Sequence, residues 1–293
     1  MHRPLLTFAA IAALLLTACT STGSREFVSE RISVVTRGSG PDVILISGLT
    51  GSREQWAGVA DTLDDRYRLH LVQVNGFSGV APRANAEGPV SAPVAEELAR
   101  YIREAGLERP AIVGHSMGGT IGMMLAARHP GAVGRLMVVD MMPFLGEMFG
   151  PAGATPESLR ALADQTRAGI LESPPGGGMI GQMFPTMTLK DDMRAKLMEG
   201  ARASDRRTVA NSFHELIVTD LRPELPRITA PVTVLYVQAP NVPLPPDQFD
   251  ASMARLYANK PGVRLVRIDD SRHFIHWDQP ERFIAEVDAF MGR

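Results

Sequence analysis

The residues whose types and spacing are best suited to catalysis form the pentapeptide GHSMG at positions 114–118. It fits the pattern G-x-S-x-G, in which a sharp turn between a strand and a helix exposes a nucleophilic serine. An apolar run precedes Ser116 and a helical pattern starts at Met117, so the required context is present. The N–H of Met117 would then lie at a helix N-terminus, where it can stabilise a developing oxyanion. The segment predicts nucleophilic catalysis by Ser116.

A serine nucleophile needs a neighbouring base, because a free hydroxyl is almost never ionised at neutral pH. His273 is the leading candidate, since it follows the last strand pattern and precedes the final helical pattern. His276 is the one rival, and its spacing of three residues favours a pocket or surface position. Asp269 and Asp270 are so close to His273 in sequence that a solvated turn is expected. We therefore predict a Ser116–His273 pair.

These two residues require a scaffold, and short aliphatic runs alternate along the chain with helical patterns. The runs are apolar almost throughout, which is typical of parallel strands covered on both faces. The leading strand, 32–37, is expected to be antiparallel. The sequence thus predicts an α/β fold, a mostly parallel central sheet with helices on both faces. The other strands are predicted at 43–47, 69–75, 111–115, 135–140, 232–238 and 263–268, and helices at 54–63, 93–104, 117–128, 248–257 and 280–291.

One long interruption separates the fifth and sixth of these strands. It has no clear strand pattern and holds eight of the 15 methionines. We expect a helical cap here, at about 141–227, inserted over the carboxyl edge of the sheet within a hydrolase-like domain at 27–293. Methionine often merely fills a core, but it also suits an adaptable apolar binding surface.

The N-terminus has the layout of a targeting segment, because His2 and Arg3 precede an apolar run at 5–16 that small residues follow. The run is shorter than the about 20 residues that span a bilayer. Residues 16–19, LTAC, resemble the lipobox of bacterial lipoproteins, and Cys19 is the single cysteine. We expect a signal peptide at 1–18, and a lipidated Cys19 followed by a tether to residue 26. Acyl chains such as palmitate on Cys19 would hold the protein on a membrane of the bacterial envelope, facing the periplasm or exterior. An ordinary cleaved signal or an uncleaved anchor is the alternative.

Composition and the remaining motifs restrict the partners. The 30 basic and 32 acidic residues give a net charge of −2 and form no basic stripe, so nucleic acid is not an expected partner. The glycines at 176, 178 and 181 match a dinucleotide spacing, but they follow two prolines and not a strand, which favours a flexible loop. The sequence has no zinc-binding or phosphate-loop motif. Neither a metal nor a cofactor is expected.

Taken together, the pentapeptide, the late His273 and the segment DQP at 278–280 followed by Phe283 resemble the α/β-hydrolase family in its single-domain form. The resemblance covers roughly residues 30–293 and implies the α/β-hydrolase fold. It also implies a second oxyanion donor after an early strand. The N–H of Leu49, in the segment SGLT at 47–50, would fill that role, since only a main-chain donor is needed.

The resemblance leaves the acid of the triad open. The family order is serine, acid, histidine, yet residues 239–241, where the acid usually lies, read APN and contain no carboxylate. Asp140, at the end of the preceding strand, is the preferred candidate, and Asp247 in a proline-rich stretch is the second. Adjacent strand ends of a parallel sheet are close, so either is within reach of His273. A purely structural Asp140, and a site with no acid, remain open.

These observations predict a serine hydrolase that cleaves ester or lactone bonds of a hydrophobic small molecule through an acyl-enzyme intermediate. A haloalkane dehalogenase needs a carboxylate where Ser116 stands, which argues against that activity. A cofactor-free haloperoxidase or a carbon–carbon bond hydrolase would share the triad. The alternative from another class of protein is a non-catalytic binding or scaffold lipoprotein on a decayed hydrolase fold. The missing carboxylate at 239–241 favours this alternative.

Overall fold

A seven-stranded sheet forms the centre of the computed structural model, which describes residues 27–151, 153–238, 242 and 244–293. The strand order is β1-β3-β2-β4-β5-β6-β7. Only β1 pairs antiparallel, with β3, and the other pairings are parallel. The expected signal peptide, Cys19 and tether lie outside the described residues. The strands are β1 Ile32–Arg37, β2 Asp42–Ile46, β3 Arg68–Val74, β4 Ala111–His115, β5 Arg135–Val139, β6 Val232–Tyr236 and β7 Arg264–Arg267.

Helices cover both faces of this sheet, which confirms the predicted α/β class. Two predicted helices have the observed bounds, whereas the one predicted at 54–63 starts as a 3-10 turn at Arg53–Trp56. Among the described residues, no helix is long and apolar enough to cross a bilayer. The helices are α1 Ala57–Leu63, α2 Ser91–Glu104, α3 Met117–Arg128, α4 Pro156–Glu172, α5 Gly178–Met183, α6 Asp191–Ala203, α7 Arg206–Val218, α8 Pro246–Leu256, α9 Ile275–Asp278 and α10 Pro280–Met291.

The sheet separates two apolar cores, because successive side chains of a strand point to opposite faces. In β2, Ile44 and Ile46 pack with α2, α3 and the segment inserted between β5 and β6, whereas Val43 and Leu45 pack with α1 and α10. All four are at most 1% exposed. Burying such a side chain contributes roughly 1.5–3 kcal/mol, so these two cores stabilise the sheet whose edge holds the site.

The insertion between β5 and β6 contains α4 to α7, and we call residues 141–227 the cap. One buried carboxylate attaches it to the core: Glu215 on α7 accepts the N–H groups of Val90, Ser91 and Ala92, at 2.8, 2.6 and 2.9 Å. These groups belong to the first turn of α2, where a negative charge is stabilising. The expectation of a loop at the glycines 176–181 is wrong in part, because α5 begins at Gly178.

Candidate active site

Ser116 lies in the turn between β4 and α3, with φ 54° and ψ −123°. Positive φ is costly for a residue with a side chain, and it persists only where the surroundings enforce it. Close packing enforces it here. A Cβ on Gly114 would lie 2.2 Å from the carbonyl oxygen of Gly118, and one on Gly118 would lie 2.2 Å from that of Ile46. The two glycines of the pentapeptide are therefore required by the contact of α3 with β4 and β2.

The Met117 amide is placed by the same turn, because α3 begins at this residue. The first N–H groups of a helix have no partner within the helix. The loop after β2 passes beside the serine: a Cβ on Gly48 would lie 3.0 Å from the Ser116 Cβ and 3.1 Å from the His115 Nδ1. Leu49 follows directly and is 9% exposed. The chain thus brings the two peptide segments with the predicted oxyanion donors next to Ser116.

His273 lies in the loop between β7 and α9, and its ring meets Asp140. The distance from His273 Nδ1 to Asp140 Oδ2 is 2.6 Å. The other carboxylate oxygen, Oδ1, accepts the Val237 N–H at 3.0 Å. Both side chains are mostly buried, 20% and 17% exposed. Because Nδ1 is bound to the carboxylate, Nε2 is the ring nitrogen that remains for exchange of a proton with a serine hydroxyl.

The other acidic candidates lie elsewhere. Asp247 is exposed in the first turn of α8, and Asp269 and Asp270 are exposed in the turn after β7. The structure therefore brings Asp140 to His273 and leaves these three in solvent. Among the residues that the structure describes, no group of three His, Cys, Asp or Glu side chains is arranged to hold a metal ion.

His115, the variable residue before the serine, is fully buried and orients the histidine loop. Its Nδ1 lies 3.0 Å from Gln55 Nε2, and its Nε2 lies 3.0 Å from the His273 carbonyl oxygen. The amide nitrogen of Gln55 can only donate, so Nδ1 accepts and the Nε2–H donates to the carbonyl. Burial, and then the nearby His273 and His276, hold the pKa of His115 well below its usual value. The ring is therefore neutral. The sequence pattern G-x-S-x-G does not reveal this role, because it allows any residue at the position of His115.

His276 is a core residue, so its interpretation as a pocket or surface histidine is wrong. The ring is 3% exposed and stacks on Trp56, with centroids 4.5 Å apart. Neither ring nitrogen has a hydrogen-bond partner among the described residues. Burial, and then the nearby His273, lower the pKa of His276 to about 3. A neutral ring in this position contributes to core packing and does not act as a second base.

A serine at a strand–helix turn, with a histidine and a carboxylate from later strand ends, is an arrangement used by hydrolases with a parallel sheet. Residues 43–286 match the Alpha/beta hydrolase family, and the chain belongs to that family. The chain is 29% identical over 265 residues to a pimeloyl-(acyl-carrier protein) methyl ester esterase of Aeromonas hydrophila, covering 89% of this chain and 99% of that protein.

One further relative and one structural neighbour carry other names. An N-formylmaleamate deformylase of Pseudomonas putida is 23% identical over 257 residues, which is 87% of this chain and 90% of that protein. The crystal structure of the enol-lactonase from Burkholderia xenovorans LB400 superposes with a TM-score of 0.69 at 19% identity, covering 89% of this chain and 96% of the other. The latter likeness shows the fold.

Proposed function

We propose that this enzyme is a serine hydrolase that cleaves an ester or lactone bond of a hydrophobic small molecule through an acyl-enzyme intermediate. The observation that carries the proposal is the 2.6 Å contact of His273 Nδ1 with Asp140, on the sheet edge that also holds Ser116. The names of an esterase relative and a lactonase structural neighbour support the bond type.

In the proposed mechanism, Ser116 Oγ attacks the carbonyl carbon while His273 Nε2 takes the hydroxyl proton. Asp140 keeps the imidazole in the tautomer with the proton on Nδ1 and stabilises the imidazolium. The N–H groups of Leu49 and Met117 bind the oxyanion. His273 then returns the proton to the leaving alcohol, and the acyl group stays on Ser116. Water, deprotonated by His273, then attacks the acyl-enzyme; the bond to Ser116 Oγ breaks, His273 returns the proton to this oxygen, and the carboxylic acid is released.

The proposal of a hydrophobic substrate rests on the cap. Met142, Met187 and Met198 are partly buried against the main apolar core, and unbranched thioether side chains adapt to varied apolar surfaces. Two other cap residues, Met148 and Leu189, are 62% and 44% exposed. Apolar side chains at a cap surface favour acyl or alcohol groups with little charge.

A non-catalytic scaffold has less support than the sequence suggested. That alternative depended on the missing carboxylate after β6, and Asp140 now supplies a carboxylate to His273 from the end of β5. A decayed site would also have no need to hold Ser116 at φ 54°. Both observations favour catalysis.

The decisive test is the reaction of the parent and Ser116→Ala with a fluorophosphonate probe, which labels only an activated serine. The parent should be labelled and should hydrolyse p-nitrophenyl esters, and a panel of short-chain esters, long-chain esters and lactones then ranks the substrates. Ser116→Ala should lose labelling and turnover at an unchanged melting temperature. Ser252→Ala is the control, because the Ser252 hydroxyl donates within α8, to the Phe249 carbonyl, and this variant should behave as the parent. Retention of most turnover in Ser116→Ala contradicts the mechanism.

We also propose that Cys19 is lipidated and attaches the enzyme to a membrane of the bacterial envelope. The support is the sequence LTAC at 16–19 after an apolar run. Acyl chains on a single residue bind stably when more than one is present. Cys19→Ser should accumulate as an unlipidated precursor, whereas the neighbouring Thr20→Ser should mature and fractionate with membranes. Equal maturation and membrane binding of both variants would refute the anchor.

A further inference from the structure

The peptide groups around His273 take their hydrogen bonds from other parts of the chain, because residues 271–274 belong to no helix or strand. Buried backbone groups need partners. Three consecutive residues find them: the Arg272 N–H donates to Asp278 Oδ2 at 2.7 Å, the His273 carbonyl accepts from His115 at 3.0 Å, and the Phe274 N–H donates to the Met187 carbonyl at 3.1 Å. The backbone of the proposed base is thus held on both sides.

Two of these three contacts lead to the cap. The Phe274 N–H reaches the cap directly, at Met187. Arg272 reaches it through Asp278, whose second oxygen, Oδ1, accepts the Thr188 hydroxyl at 2.7 Å and the Leu189 N–H at 2.9 Å. We call residues 187–189 together with Asp278 the clasp.

The two side chains at the centre of the clasp, Thr188 and Asp278, are buried and hydrogen-bonded to each other. Asp278 is 6% exposed and Thr188 is 1% exposed. A buried carboxylate with three donors is held by charge-assisted hydrogen bonds, which are shorter and stronger than neutral ones. Removal of one donor leaves part of the charge without a partner at a side chain that is mostly buried. The carboxylate and the loop that it holds must then shift.

The cap also contacts the loops on the serine side. The Ser78 N–H donates to Ser204 Oγ at 2.9 Å, and the Gly79 N–H donates to the Ala203 carbonyl at 3.1 Å. The Ser78 hydroxyl in turn donates to the Thr50 carbonyl at 2.6 Å, next to Leu49. The cap therefore bonds to the histidine loop directly and is linked to the predicted oxyanion loop through Ser78.

We propose that the cap positions the catalytic base: Thr188 and Asp278 are positioning residues that act through His273, and displacement of the cap disengages the imidazole. This inference rests on the proposed function, since it concerns the same Ser–His pair. Its consequence is that the enzyme is active only with the cap docked. Substrate contacts that favour the docked cap would then raise turnover, in addition to holding the substrate.

The test compares three substitutions on one cap segment. Thr188→Val removes the hydroxyl at nearly constant volume, and Thr188→Ser restores it. Thr186→Val is the matched control, because the exposed Thr186 donates only within the cap, to the Met183 carbonyl at 2.8 Å. A misplacement of a catalytic group by about 1 Å costs up to about a hundredfold. We expect Thr188→Val to lower kcat by about tenfold or more with KM changed less than about threefold, as for an interaction felt mainly in the transition state.

A second readout separates this inference from the proposed function. The proton between His273 Nδ1 and Asp140 should give a low-field resonance in the proton NMR spectrum, which needs no substrate. Thr188→Val should shift or broaden it, whereas Thr188→Ser and Thr186→Val should leave it unchanged. Thr188→Ala replaces Thr188→Val if the valine variant does not fold, as judged by circular dichroism.

Each outcome is decisive. Parent-like kcat and resonance in Thr188→Val would overturn the positioning role, and so would an equal loss in Thr186→Val, which would mean general loosening of the cap. A parent protein that neither labels with fluorophosphonate nor hydrolyses esters would refute the proposed function, while a shifted resonance in Thr188→Val would still uphold the clasp.

Discussion

The Asp140→Asn variant tests the triad most directly, because the structure dictates what the amide must do. One oxygen of Asp140 accepts the Val237 N–H at 3.0 Å and the other faces His273 Nδ1 at 2.6 Å. An asparagine has a single oxygen, and the Val237 N–H can only donate. The oxygen therefore stays with Val237, and the NH₂ group turns toward His273.

The expected loss follows from this forced orientation. An NH₂ group opposite Nδ1 requires an acceptor there, so the imidazole proton moves to Nε2, where it blocks uptake of the Ser116 proton. Neutralising a triad acid in this way lowers kcat by about four orders of magnitude, equivalent to about 5.5 kcal/mol of barrier. The fold should persist, because Asp140 has φ 50° and asparagine tolerates that region well.

The assay is kcat/KM on p-nitrophenyl esters together with the rate of fluorophosphonate labelling, at matched melting temperature. Asp247→Asn is the control, since this carboxylate in the first turn of α8 is exposed and His273 is paired with Asp140 instead. Its activity should stay within about tenfold of the parent, or about 1.4 kcal/mol. A loss below about tenfold in Asp140→Asn would refute the triad assignment. The reverse ranking of the two variants would transfer the role of the acid to Asp247.

Two further predictions concern stability, measured by urea unfolding. The pKa of His276 is about 3 in the fold and about 6.5 when unfolded, so the unfolded chain binds the proton first and stability falls as the pH drops below about 6.5. His276→Phe should reduce the slope of the free energy of unfolding against pH by up to about 1.4 kcal/mol per pH unit and should leave the stability at pH 7 unchanged. An unchanged slope in this variant would contradict the prediction. Glu215→Ala should cost about 3 kcal/mol because three N–H groups of α2 lose their acceptor, whereas Glu104→Ala, at an exposed ion pair, should cost less than about 0.5 kcal/mol. Equal losses in the two glutamate variants would show that Glu215 does not anchor the cap.

Local patterns predict most of the sheet and the serine turn, since both depend on residues that are near in sequence. Strand β4 and helix α3 have the predicted bounds because an apolar run and a helical pattern meet at Ser116. The acid is harder to predict. A strand end places Asp140 near the carboxyl edge, but the choice against Asp247 depends on where α8 packs, which no residue pattern specifies.

The contacts that hold the histidine loop are invisible in the sequence for a different reason. Gln55 and His115 are 60 residues apart, and Thr188 and Asp278 are 90 residues apart. Such pairs meet only after the layers have packed. His276 illustrates the same limit, because its neighbours Ile275 and Trp277 do not reveal that its ring faces Trp56.

Backbone strain gives an argument for the site that is independent of any motif. Thr50, Ser116 and Asp140 have φ of 59°, 54° and 50°, and they lie in the turns after β2, β4 and β5. Each such residue costs about 1–3 kcal/mol and survives only where packing enforces it. Three neighbouring strands thus end in strained residues at one edge, and these turns contain the proposed oxyanion loop, nucleophile and acid. Positive φ also occurs at Ser78, Arg83, Arg109 and Asp270, so the conformation by itself does not identify a site. The agreement with the proposed function therefore lies in the location, because three such residues meet at one edge of the sheet and two of them are the proposed nucleophile and acid.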